Sequence, residues 1–95
     1  MKDSPNDKIE QLMKVFILFE DMKECELFFD DLCTLNEIKA FSQRLDVARM
    51  LIEGNTYENI EAVTGATFNT ISRVNKTLSK NNFLKVILNR IEKQS

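Results

Sequence analysis

Between Thr56 and Lys76 the residues follow an order that few backbones satisfy: a capping threonine, a short apolar-periodic segment, a glycine, a second capping threonine and a longer periodic segment. The spacing predicts a short helix opened by Thr56, a tight turn at Gly65 and a second helix opened by Thr67. Ile60, Ile71 and Val74 are spaced to meet between the two helices, and Gly65 can adopt the left-handed backbone that a tight interhelical turn requires. Asn69, Ser72, Arg73, Asn75 and Lys76 are left for the outer face. Glu61 and Thr64 stand where many such motifs place a small or apolar residue against the partner helix.

Two helices joined in this way form a helix-turn-helix, which suggests binding in the major groove of DNA. From spacing alone, an ordinary αα-hairpin inside a bundle fits equally well, so the rest of the chain has to decide. Two glycines, one proline and no sustained apolar/polar alternation favour an all-α fold. At 95 residues the chain should form one domain, 1–95, whose core is small enough for help from a second subunit to matter.

Ser4 before Pro5, with Asp7 in the first turn, predicts a helix start, and Ile9, Leu12, Met13, Phe16, Phe19 and Met22 continue it at helical spacing to about Lys23. Val15, Ile17 and Leu18 make its middle apolar nearly all round. A second short segment, Cys25 to Cys33, carries Leu27, Phe28, Phe29 and Leu32. Both segments are too apolar for the surface of a small monomer and predict an extensive dimer. Thr34 with Glu37 is a capping box that opens a long helix, expected to bury Ile38, Phe41, Leu45, Ala48, Leu51 and Ile52 before Gly54 closes it. Asn81-Asn82 interrupts the chain before a final helix bearing Phe83, Leu84, Ile87, Leu88 and Ile91, which makes six helices in all.

The formal net charge of -2 conceals a polarity. Residues 1–66 hold seven Lys/Arg against fourteen Asp/Glu, a net of -7, while residues 67–95 hold six against one, a net of +5. Arg73, Lys76, Lys80, Lys85, Arg90 and Lys93 therefore begin where the second motif helix begins, as phosphate neutralisation would require. A solvated basic tail is the plainer alternative.

The longest apolar run, Val15 to Phe19, is far short of the roughly 20 residues of a membrane span, and no cleavable signal opens the chain, so a cytoplasmic protein is expected. Cys25 and Cys33 are read as reduced, buried thiols, with no disulfide, no metal site and no cofactor. The absence of histidine removes the usual neutral-pH base and the Ser-His and Cys-His nucleophile pairs. Asp30-Asp31 could act as acid and base, but adjacent acids near a helix end are usually solvated charges, so no enzyme is expected.

Leu32-Cys33-Thr34-Leu35-Asn36-Glu37, Gln43-Arg44-Leu45, Leu51-Ile52-Glu53-Gly54, Thr64-Gly65-Ala66 and Thr70-Ile71-Ser72-Arg73 follow one another in the order found in the Trp repressor family. From Phe28 to about Ile91, about two thirds of the chain, the sequence resembles that family, and most closely its YerC/YecD branch. The resemblance implies six helices per subunit, an intertwined homodimer, and two reading heads in successive major grooves of a palindromic operator, with half-sites about 34 Å apart. It implies that Phe68, Asn69 and Ser72 face base edges, with Thr67, Arg73, Lys76 and Lys80 nearer phosphates or the groove rim.

In Trp repressors the corepressor tryptophan lies between two arginines. Arg44 and Arg73 match those positions, and Thr34, Thr70 and Thr77 also correspond. Two residues depart from the pattern: Val74 replaces the small glycine after the second arginine, and Asp31 replaces an apolar residue contributed by the partner subunit. The resemblance with these departures implies a repressor that does not bind tryptophan, its cavity filled by Val74 and by an ion pair of Asp31 with Arg44 or Arg73. A different small ligand, bearing an amine or hydroxyl for Asp31, is the rival, and a structural role for Arg44 is the plain alternative. A further alternative is an interaction module that keeps the fold without the DNA contacts, suggested by Glu58 and Glu61 on the helix that would lie over the phosphate backbone.

Overall fold

The computed structural model describes residues 5–94, which divide into two compact units, one ending at Ile38 and one beginning at Lys39. Among the described residues there are six helices and no strands. They are α1 (Pro5–Leu18), α2 (Met22–Leu32), α3 (Leu35–Ile52), α4 (Tyr57–Thr64), α5 (Phe68–Lys80) and α6 (Phe83–Gln94). The expected cap at Ser4 lies outside the described residues.

In the first unit, α1 stops at Leu18 and does not run to Lys23. The reason is local: Asp21 caps α2, its side chain accepting from the Glu24 amide at 3.0 Å, while the Glu24 carboxylate accepts from the Glu20 amide at 2.9 Å. One orphan donor of α2 and the amide just ahead of its cap are thereby satisfied, and Met22 and Lys23 become the first turn of α2. Phe16 meets Phe28 edge-on, with ring centroids 5.5 Å apart, and lies 5.9 Å from Phe29, while Phe19 lies 5.3 Å from Phe28. Even so, no described residue of this unit is buried, and Ile17, Leu18, Met22 and Leu32 remain more than two-thirds exposed within the single chain.

The capping box that opens α3 is formed on both sides: the Thr34 amide donates to the Glu37 carboxylate at 2.8 Å, and the Glu37 amide donates to the Thr34 hydroxyl at 3.1 Å. The Glu37 carboxyl is held below the ordinary value of 4.5, first by the Thr34 amide and then by the Thr34 hydroxyl, against a small opposing effect of burial.

The second unit is built on Val47, Ile60, Ala66 and Ile71, with Met50, Leu51, Tyr57 and Val74 packed around them; Ala48 and Leu88 are also buried. The expected buried stripe on α3 is only partly correct. Ala48 is buried and Ile38 and Leu51 are half-buried, but Phe41, Leu45 and Ile52 are exposed within the chain, and Val47 is fully buried. At 100° per residue, Phe41, Leu45, Ala48 and Ile52 lie along one side of α3, and Gln43, Val47 and Met50 lie nearly opposite. The helix is apolar on two sides: Val47 lies in the core with Ile60 and Ile71, whereas of the other side Ala48 is buried and Phe41, Leu45 and Ile52 remain exposed.

Candidate nucleic-acid interface

Thr56 caps α4 by accepting from the Asn59 amide at 3.1 Å, and Thr67 caps α5 by accepting from the Thr70 amide at 3.2 Å. Gly65 ends α4 at φ 73°, and Gly54 ends α3 at φ 88°, both in the left-handed region that glycine enters without strain. The motif is thus α4, the turn Gly65-Ala66-Thr67 and α5, with Ile60 and Ile71 fully buried between the helices and Val74 half-buried beside them.

The two residues that depart from the common pattern are accommodated. Glu61 is exposed. Thr64 folds its hydroxyl back to donate to the Ile60 carbonyl at 2.7 Å and accepts from the Ala66 amide at 3.1 Å, while Ala66, 4% exposed, supplies the small residue at the close approach. The turn is tied to α3 by Gln43, whose Nε2 donates to the Thr64 carbonyl at 3.1 Å. That carbonyl is one of the orphan acceptors at the end of α4, and its partner 21 residues away could not be read from local spacing. Asn55 performs a similar task at the preceding turn, with backbone and side-chain nitrogens both donating to the Met50 carbonyl at 3.0 Å.

On α5, Asn69, Arg73, Lys76 and Lys80 recur at i, i+4, i+7 and i+11 and are all exposed. This stripe lies opposite the side that carries Ile71 and the half-buried Leu78. Phe68, Ser72, Asn75 and Ser79 form a neighbouring stripe; Phe68, Asn75 and Ser79 are exposed, while Ser72, which spacing alone predicts on the outer face, is half-buried. Phe68 is exposed with its ring 5.5 Å from that of Tyr57. Thr67 is occupied with capping, its hydroxyl also 3.2 Å from that of Thr70. The ion pairs Lys14–Glu10 at 3.9 Å and Arg49–Asp46 at 2.8 Å lie on α1 and α3, away from this stripe.

Five of the six residues assigned to a ligand pocket, Arg44, Thr70, Arg73, Val74 and Thr77, line one cavity of about 380 Å³ between α3 and α5. Thr34 belongs to the first unit, where it caps α3. A second, mostly apolar cavity of about 260 Å³ is lined by Phe41, Arg44, Leu45, Ala48, Val74, Thr77 and Leu84, so Arg44, Val74 and Thr77 border both. The Arg44 guanidinium lies 4.9 Å from the centre of the Phe41 ring, a cation–π contact that gives it a structural partner. The Thr77 hydroxyl donates to the Arg73 carbonyl at 3.3 Å. Arg73 belongs to the exposed cationic stripe and also lines the first cavity.

Cys25 and Cys33 are free and half-buried, not fully buried as expected, because nothing in the single chain covers α2 completely. No helix among the described residues is long and apolar enough to cross a membrane.

Comparison with known proteins agrees with this architecture. The model of the Trp repressor protein family matches residues 7–92. The chain is 53% identical over 75 residues to the uncharacterized protein YerC of Bacillus subtilis (strain 168), spanning 79% of this chain and 72% of that protein. A candidate Trp repressor from Staphylococcus aureus superposes with a TM-score of 0.83 at 44% identity, over 90% of this chain and 87% of the other. A TrpR-like protein from Eubacterium eligens ATCC 27750 superposes with a TM-score of 0.83 at 41% identity, over 90% of each chain. A family match over nearly the whole chain, two superpositions over nine-tenths of it and a helix-turn-helix closed by Gly65 lead to one assignment: the chain belongs to the Trp repressor family, on its YerC branch.

Proposed function

We propose that this protein is a sequence-specific double-stranded DNA-binding transcription regulator, a repressor that acts in the cytoplasm as a homodimer and does not require tryptophan. The observation that carries the proposal is the exposed stripe of Asn69, Arg73, Lys76 and Lys80 on the second helix of the motif in a member of this family. The cations neutralise phosphates, and Phe68, Asn69 and Ser72 meet base edges, with Thr67 at the groove rim. The two units act together as one DNA-binding domain. Apolar surface that the single chain leaves uncovered, on α1, on α2 and along Phe41, Leu45 and Ile52 of α3, supports association with a second copy.

Independence from tryptophan is supported by Val74, a branched side chain bordering both cavities beside Arg44 and Arg73. Asp31 of the second subunit completes the filling by pairing with one of the arginines. Saturable micromolar binding of tryptophan in calorimetry would refute this part. A small ligand other than tryptophan is the alternative effector, and a thermal-shift screen across metabolites would reveal it.

The deciding experiment is selection of genomic DNA fragments by the purified protein without added ligand, followed by sequencing. Enrichment of a palindrome is the expected outcome. Arg73→Ala and Lys76→Ala should each weaken binding to all sequences and reduce the salt slope by about 0.9 for every phosphate left without its cation. Asn69→Ala should alter sequence preference, because a paired amide–adenine contact is worth about 1–3 kcal/mol. Exposed Glu58 and Glu61 on α4 favour a second reading, a protein-interaction module without DNA contacts. That module would show neither an enriched site nor a steep loss of DNA affinity between about 50 and 200 mM salt.

A further inference from the structure

Tyr57 and Phe68 hold equivalent places as the first residues of α4 and α5, and their rings meet across the motif with centroids 5.5 Å apart and planes inclined by 57°. Tyr57 is half-buried and packs on the core of Val47, Ile60, Ala66 and Ile71, so this ring is anchored. Phe68 is 59% exposed at the head of the helix that otherwise offers Asn69, Arg73, Asn75 and Lys76 toward solvent. Of the groups on the first two outward turns of α5, Phe68 alone is a large apolar surface. In the major groove the apolar feature that distinguishes one base from another is the 5-methyl group of thymine, and an aromatic side chain is one of the groups that reads it.

We infer that Phe68, braced by Tyr57, is a specificity-determining residue that reads a thymine methyl in each half-site. Tyr57 is the positioning residue. A ring already held against an anchored neighbour has less rotamer freedom to lose on contact, so its preference for the methyl is expressed as affinity. Asn69, the next residue along, offers the paired donor and acceptor that match adenine, so the two together favour an A·T-containing half-site. The inference rests on the proposed DNA-binding function and adds to it the chemistry of one base contact.

The test uses the full chain and the operator obtained by selection, with each thymine replaced in turn by deoxyuridine, which deletes the methyl and keeps the pairing. One thymine in each half-site should lose affinity by about fourfold, the effect of one buried carbon. In Phe68→Ala that position should become indifferent to the substitution. Tyr57→Ala should reduce the discrimination and Tyr57→Phe should retain it, with an unchanged salt slope and unchanged helical circular dichroism in all variants. A selected operator that tolerates deoxyuridine at every thymine overturns the inference and leaves the regulator function standing. So does discrimination that survives in Phe68→Ala, which would reduce Phe68 to a packing role. Failure to select any sequence removes both the inference and the function on which it rests.

Discussion

Replacing Gln43 by leucine isolates a side-chain bond that ties the long helix to the turn of the motif. Leucine retains a similar apolar volume but cannot donate, so the Thr64 carbonyl loses the 3.1 Å bond from Nε2 in a part-buried setting. A neutral hydrogen bond contributes about 1 kcal/mol net, and leaving a buried acceptor without a partner costs about 1–3 kcal/mol. Because this site is only part-buried and water can reach it, we expect Gln43→Leu to destabilise by about 1–2 kcal/mol. In a domain of this size each kcal/mol lowers the thermal midpoint by roughly 4–8 °C, so a fall of about 5–15 °C should be seen by far-ultraviolet circular dichroism. Urea titration at one fixed, high protein concentration should give the same loss, since any association of subunits would make the midpoint depend on concentration. Under the proposed DNA-binding function, operator affinity should fall because the turn ahead of α5 is loosened, with the salt slope unchanged because the cations proposed to meet phosphate are all retained. Gln43→Glu sharpens the test: near pH 7 it places a carboxylate against a carbonyl and should be at least as damaging as leucine. A loss below about 0.3 kcal/mol for Gln43→Leu would refute the view that this bond holds the turn.

Gly65→Ala and Gly54→Ala should each cost about 1 kcal/mol, measured by urea denaturation, because both sites have left-handed φ yet have room for a Cβ. At Gly65 the added carbon would meet only the Gln43 Nε2 at 4.0 Å, so a much larger loss there would point to a steric constraint that the structure does not contain. The Glu37 carboxyl is lowered in the folded chain, so its capping contribution should be present above its ordinary value of 4.5 and fade as pH falls through the lowered folded value. Carboxyl titration by NMR should give a Glu37 midpoint below 4.5, and Glu37→Gln should flatten the acid side of the stability profile; a midpoint at or above 4.5 contradicts the capping box. Val74→Gly should lose about 1–2 kcal/mol of stability, from glycine in a helix interior and from the packing that the valine side chain supplies. By opening the ridge between cavities of about 380 and 260 Å³, it should also gain tryptophan binding in calorimetry, and a variant still silent to tryptophan would show that Val74 is not what excludes the indole.

Where the sequence and the fold agree, the controlling interactions are short-range. Thr34, Thr56 and Thr67 cap the helices that their spacing announces, since a cap joins residues three positions apart and needs no tertiary context. Where they differ, a competing interaction is present that periodicity does not register. Met22 fits the apolar period of α1, yet the Asp21 side chain accepts from the Glu24 amide and the Glu24 carboxylate from the Glu20 amide, which fixes the start of α2 at Met22. Phe41, Leu45 and Ile52 fit a buried stripe, yet α3 is apolar on two sides, and a period cannot say how much of each side the same chain covers.

What the residues determined by themselves is the helical content, the two glycine-closed turns, the polarity of charge along the chain and the family, because caps, left-handed glycines and ordered landmarks are local or linear properties. Only the tertiary structure decided that Val47 and Ala66 complete the core with Ile60 and Ile71, that Gln43 reaches 21 residues ahead to hold the turn, and that Tyr57 braces Phe68. Arg44, Thr70, Arg73, Val74 and Thr77, grouped by the family resemblance, line one cavity, and only the tertiary structure set a second, apolar cavity with Phe41, Leu45, Ala48 and Leu84 beside it. Each of these depends on how two helices cross, and a crossing is set by the simultaneous fit of many side chains, which no single stretch of sequence contains.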